Sequence, residues 1–156
     1  MVTAGKELKQ KVTQVLKQYQ HEKGMLVSVL QDIQSVYNYL PPEALKQAST
    51  SLDIPLSQVY SVATFFKAFS LEPRGRHLIH VCLGTACHVR GGARILERLE
   101  RELSIKSGET TKDLRYTLET VNCVGACALG PMVIIDGEYS GEMTPDRVKP
   151  LIERYQ

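Results

Sequence analysis

The four cysteines restrict this 156-residue chain more than any other feature, because all of them lie in its second half, as Cys82-x4-Cys87 and Cys123-x3-Cys127. The start, Met1 to Gln10, is polar and lysine-bearing and has neither the apolar run nor the small-residue cleavage site of a secretory signal. No stretch reaches the roughly 20 apolar residues of a membrane span, so direct membrane insertion is not expected and a cytoplasmic location is. Thiols stay reduced in that compartment, where paired cysteines bind metal or do redox chemistry more often than they form structural disulfides. Two disulfides, for which four cysteines allow 3 pairings, therefore rank behind a metal site. A thioredoxin-type dithiol needs C-x-x-C, which is absent.

The remainder of the chain supplies a scaffold for those thiols. Leu8, Val12, Val15, Leu16 and Tyr19 recur at helical spacing ahead of Gly24, and Leu26, Val29, Leu30, Ile33, Val36 and Tyr37 form a second stripe ending at Pro41-Pro42. A short third helix carries Leu45, Ala48 and Leu52, and Ser57 reads as the N-cap of a fourth that runs through Val59, Tyr60, Ala63 and Phe66. Four short helices with brief connections predict a small bundle. The pattern changes at Glu72-Pro73-Arg74-Gly75, which sets a domain boundary: 1–73 helical, 74–156 mixed. In the second part, residues 77–81 read as a strand, a glycine-containing loop follows, and a helix runs from about Gly91 to Leu103. Residues 106–113 read as a polar loop, 115–121 as a strand, 132–135 and 138–140 as a hairpin about Asp136-Gly137, and Thr144-Pro145-Asp146 as the cap of a last helix. The expected fold is α+β: an N-terminal helical bundle followed by an α/β domain with a small open sheet, ordered β-α-β-β-α.

If the two cysteine-bearing strands are parallel, as a β-α-β connection implies, both thiol pairs leave the same end of the sheet and converge. A structural zinc and an iron-sulfur cluster both accept four thiolates. Zinc knuckles favour tight C-x2-C pairs, whereas these wider gaps suit a two-iron core. Gly84, Gly125 and Gly130 would let backbone amides approach the sulfurs, and Arg90 or Arg94 would favour the reduced, more negative form. His77, His80 and His88 read as ordinary polar residues, since the cysteines already fill a ligand set. Phe65, Phe66 and Phe69, with Thr64, read as packing between the two halves. Lys plus Arg number 19 against 17 Asp plus Glu, for a net charge of +2, so the balance gives no reason to expect nucleic acid as a partner.

Val81–Cys87, Gly108–Thr111 and Val121–Cys127, with Ser61–Phe66, Pro131–Val133 and Met143–Pro145, resemble the thioredoxin-like [2Fe-2S] small subunit of NADH-dependent oxidoreductases. That family includes the small subunit of the NADH dehydrogenase arm of respiratory complex I and its relatives in NAD(P)-linked or electron-bifurcating hydrogenases and formate dehydrogenases. The resemblance implies a thioredoxin-like second domain whose cluster ligands fall on Cys82, Cys87, Cys123 and Cys127. It also implies docking on a larger flavoprotein that holds FMN, NAD(H) and a [4Fe-4S] cluster, within an assembly of further iron-sulfur, hydrogenase, formate dehydrogenase or quinone-arm subunits. The chain has no G-x-G-x-x-G after a strand and no P-loop, which fits an electron-transfer subunit without hydride chemistry of its own. The alternatives are a zinc-stabilised scaffold module and a stand-alone iron-sulfur redox sensor.

Overall fold

The computed structural model of the chain describes residues 2–155, with side chains from Leu8 to Tyr155, so most of the polar start read at Met1–Gln10 lies outside the described side chains. The chain divides into two compact units, Met1–Pro73 and Arg74–Gln156.

The first unit contains α1 (Val2–Gln18), α2 (Leu26–Tyr37), α3 (Pro42–Leu52) and α4 (Leu56–Phe65). Their apolar stripes meet in a core built around Leu16, Leu30, Ile33, Leu45, Leu52 and Val59. Asn38 and Asp53 end α2 and α3 in the left-handed conformation, which short polar side chains tolerate better than most, and each donates its amide back into the last turn. Several sequence expectations need correction in this unit. The first helix stops at Gln18, short of Gly24, because Gln20 and His21 turn left-handed and Gly24 falls in a separate 3-10 turn, Lys23–Met25. Ser57 does not cap α4; Pro55 holds that position, its ring presetting the backbone, and the Ser57 carbonyl instead accepts from the Ser61 hydroxyl. Val36 is exposed, and of the three phenylalanines only Phe69 is buried, whereas Phe65 is 80% exposed.

The second unit orders β1 (His77–Cys82), α5 (Thr85–Val89), α6 (Gly92–Leu103), β2 (Tyr116–Val121), β3 (Val133–Ile135), β4 (Glu138–Ser140) and α7 (Pro145–Glu153). The sheet runs β2-β1-β3-β4, with β1 and β2 parallel and the other pairs antiparallel. Side chains alternate as the pleat requires. Ile79 and Leu118 lie opposite each other and share a core with Ile95 and Leu99 of α6 and Val148 and Leu151 of α7. His80 and Glu119, the next pair, belong to the other face, where Arg74 also bonds Glu119.

Two further points depart from the sequence reading. The segment after Cys82 contains a helix, α5. Residues 108–111, read as loop, lie antiparallel along β2: Gly108 donates to Leu118, Leu118 to Glu109, and Thr111 to Tyr116. The free edge of β2 gives these polar residues backbone partners they would otherwise find in water. As the sequence reading has it, Thr144 holds the N-cap position of α7 and the helix runs on through Pro150, but the threonine makes no side-chain cap bond.

Candidate metal centre

The parallel register brings the thiols together. Cys82 is the last residue of β1 and pairs with Val121, the last of β2, so Cys123 follows at the same sheet end. The two pairs are not both loop residues, as the sequence suggested. Cys82 is in a strand, Cys87 is on α5, Cys123 is in the turn after β2, and Cys127 opens a 3-10 turn, Cys127–Leu129. The gap holds Leu83, the N-cap Gly84 and the first two residues of α5, so the chain bends out of β1 and Cys87 falls within the first turn of the helix.

All four cysteines are free thiols, and together with Gly84, Thr85 and Asn122 they line one cavity of ≈ 300 Å³. Cys82 and Cys87 are each 2% exposed, while Cys123 and Cys127 are exposed, so the site has a buried wall and an open rim. Met132, Val121, Val124 and Ala126 form a small apolar cluster about the buried pair. Burial raises the Cys87 thiol above its ordinary range, helped by a hydrogen bond with Cys82, while a hydrogen bond from the Met132 backbone works against it. Among the described residues no three His, Cys, Asp or Glu side chains gather about a point as ligands of one ion do. The thiols are spread around a cavity wall.

Close backbone approach holds that wall together. A Cβ on Gly84 would collide with the Asn122 carbonyl oxygen, one on Gly92 would come within 2.9 Å of the Cys87 carbonyl, and one on Gly130 within 3.0 Å of the Cys87 sulfur. Gly125 adopts a φ of 82° and donates its amide to the Cys123 sulfur at 3.3 Å. The Leu83 amide donates to Val121 at 2.8 Å, and the Cys82 amide to Met132 at 3.1 Å. Arg90, not Arg94, reaches the second cysteine segment, donating to the carbonyls of Cys127, Ala128 and Gly130, although both residues are exposed. Sequence reading missed Asn122, whose contribution is a backbone carbonyl against Gly84 and leaves no mark in side-chain type, and Met132, which adds a backbone carbonyl for the Cys82 amide to its apolar side chain. His77 and His80 pair with Asp136 and Glu119 at the sheet, away from the thiols.

Comparison with known proteins adds independent findings. The profile of the family described as thioredoxin-like [2Fe-2S] ferredoxin matches residues 12–156. The HndA component of the NADP-reducing hydrogenase of Solidesulfovibrio fructosivorans is 37% identical over 148 residues, covering 95% of this chain and 86% of that protein. An NADH-quinone oxidoreductase component of Aquifex aeolicus (strain VF5) is 33% identical over 150 residues, covering 96% of this chain and 93% of that protein. Among solved structures, an air-oxidised NAD+-reducing [NiFe]-hydrogenase superposes with a TM-score of 0.71 at 26% identity over 85% of this chain, which spans only 23% of that hydrogenase chain.

Proposed function

The chain belongs to the thioredoxin-like [2Fe-2S] ferredoxin family, and from that premise we propose that it is an electron-transfer subunit of an NAD(P)H-linked multisubunit oxidoreductase, with one [2Fe-2S] cluster held by Cys82, Cys87, Cys123 and Cys127. The observation that carries the proposal is the convergence of all four thiols on one ≈ 300 Å³ cavity at the shared end of two parallel strands. The donor set fits: thiolates are the ligands such a cluster takes, and glycine backbone lies against the sulfur of Cys87 where a side chain would fill the cradle. When bound, the cluster supplies reversible one-electron transfer.

The residues of this chain do the remaining work. Cys82 and Cys87 anchor the buried side in an apolar setting that excludes water. Cys123 and Cys127 form the open rim, which gives electrons a short path to a docked partner. The Gly125 amide, aimed at the Cys123 sulfur, stabilises negative charge there. The names of the relatives, components of an NADP-reducing hydrogenase and of an NADH-quinone oxidoreductase, support partner subunits that handle NAD(P)H, and the family resemblance makes the nearest of them a flavoprotein with FMN, an NAD(H) site and a [4Fe-4S] cluster. Hydride chemistry then belongs to that partner, and the isolated chain is inactive. A cytoplasmic location fits a chain in which no described helix is long and apolar enough to cross a membrane.

Anaerobic purification, with iron and acid-labile sulfide assays and EPR of the reduced protein, tests the cluster. Two irons and two sulfides per chain, with a reduced-state EPR signal lost in Cys82→Ser or Cys127→Ser, are expected. One zinc per chain without sulfide would overturn the assignment. Co-purification from the native cell should recover a flavin-containing, NAD(P)H-oxidising complex.

A further inference from the structure

Arg90 is a charged side chain that joins the two cysteine segments beside the thiol cavity. Its backbone closes α5, the amide donating back to Ala86 at 3.2 Å, so its position is fixed by the same short helix that carries Cys87. Its guanidinium crosses to the other half of the site. Nη1 donates to the carbonyl of Cys127 at 2.8 Å, of Ala128 at 3.2 Å and of Gly130 at 3.3 Å. Those carbonyls run from the first residue of the Cys127–Leu129 turn to its C-cap, Gly130, and the Cys127 oxygen also accepts from the Gly130 amide at 3.2 Å, so the guanidinium is a second donor to a turn that is already closed. Among the described residues no carboxylate forms an ion pair with Arg90, in contrast to Arg74, Arg98, Arg101 and Arg115. Its positive charge therefore has no carboxylate partner and, the residue being exposed, is screened only by solvent.

We propose that Arg90 is a positioning residue with two separable effects: it straps the Cys127 segment to the Cys87 helix, and its unpaired cation favours the reduced state of the site. The proposal rests on the cluster assignment above. The strap follows from geometry, since the segments joined lie 37 to 40 residues apart in sequence and carry one ligand each. The charge effect follows from electron count. One added electron takes a four-thiolate [2Fe-2S] site from a net charge of −2 to −3 with no proton required, so a nearby cation stabilises the product more than the reactant.

The test uses the full chain loaded anaerobically, as wild type, Arg90→Gln and Arg90→Lys. Cluster loss to an iron chelator is followed by visible absorbance, and the midpoint potential by EPR-monitored titration. Arg90→Gln is expected to lose its cluster roughly tenfold faster, the scale typical of groups that support metal ligands, and to titrate at a lower potential. Arg90→Lys keeps the charge without the planar fork, so it should recover most of the potential and little of the retention. Wild-type potential in Arg90→Gln would overturn the electrostatic role, and wild-type retention would overturn the strap. If Arg90→Gln accumulates poorly, Arg90→Lys decides the strap by its retention alone. A wild-type chain that holds no acid-labile sulfide fails the cluster assignment itself, an outcome distinct from any difference among the variants.

Discussion

At the scale of single residues, the glycines around the thiols differ in kind, and the difference is measurable. Gly84 is needed for space: its missing Cβ is where the Asn122 carbonyl oxygen sits, and a backbone atom cannot swing aside as a side-chain tip can. Gly84→Ala should push the ends of β1 and β2 apart, cost about 1–3 kcal/mol in denaturant melts and lower iron occupancy. Gly125 is needed for conformation: nothing lies within 4 Å of its Cβ direction, yet its φ is 82°. Gly125→Ala should cost about 1–2 kcal/mol through backbone strain, and Gly125→Asn less, since Asn visits that region more readily. Iron content of the three variants on a common protein basis ranks the two effects, and equal occupancy in Gly84→Ala and wild type would remove the spatial argument.

Elements show what a sequence can and cannot disclose. The four thiols, the parallel strands and the helix with Ile95 and Leu99 inward are legible because each has a period or a spacing that survives without coordinates. The helix α5 is not, since five residues at Thr85–Val89 are too few to show a period. The 108–111 segment escaped for another reason: it pairs through backbone groups and threonine hydroxyls, and a polar composition looks the same in a loop and along a sheet edge. The link between Tyr155, two residues past the end of α7, and β4 escaped too. There the Tyr155 hydroxyl donates to Glu138 at 2.7 Å, and that bond, with some burial and the carboxylate charge, holds the phenol up at about 12 instead of 10.0. The folded chain thus keeps this proton more tightly than the unfolded chain does. Stability from this pair is complete below pH about 10 and is lost as pH rises toward about 12. Tyr155→Phe should flatten that segment of the pH-stability curve, read from urea midpoints, and an unchanged slope would mean the bond is absent in solution.

For the whole molecule, the division at Pro73 and Arg74 separates two complete hydrophobic cores, one of helices and one of sheet with α6 and α7. Every cysteine and every residue that lines the cavity, with Arg90 and Met132 that bond or pack against the cysteine segments, lies in the second unit. Cluster binding should therefore need only residues 74–156. This fragment has 83 residues by its bounds, about the size at which a single core still folds unaided, and four thiolate bonds to a cluster add to it as other metal sites do. Expressed alone, it should bind iron and sulfide in the amounts found for the full chain and give the same reduced EPR signal. The helical unit then has its effect elsewhere, and Phe65, exposed at 80% at the end of α4, is its most prominent apolar group. If that unit serves assembly, Phe65→Ser should leave cluster content and potential at full-chain values while reducing the flavoprotein recovered with the chain. Loss of iron from the fragment, with iron retained in the full chain, would instead show that the helices complete the site.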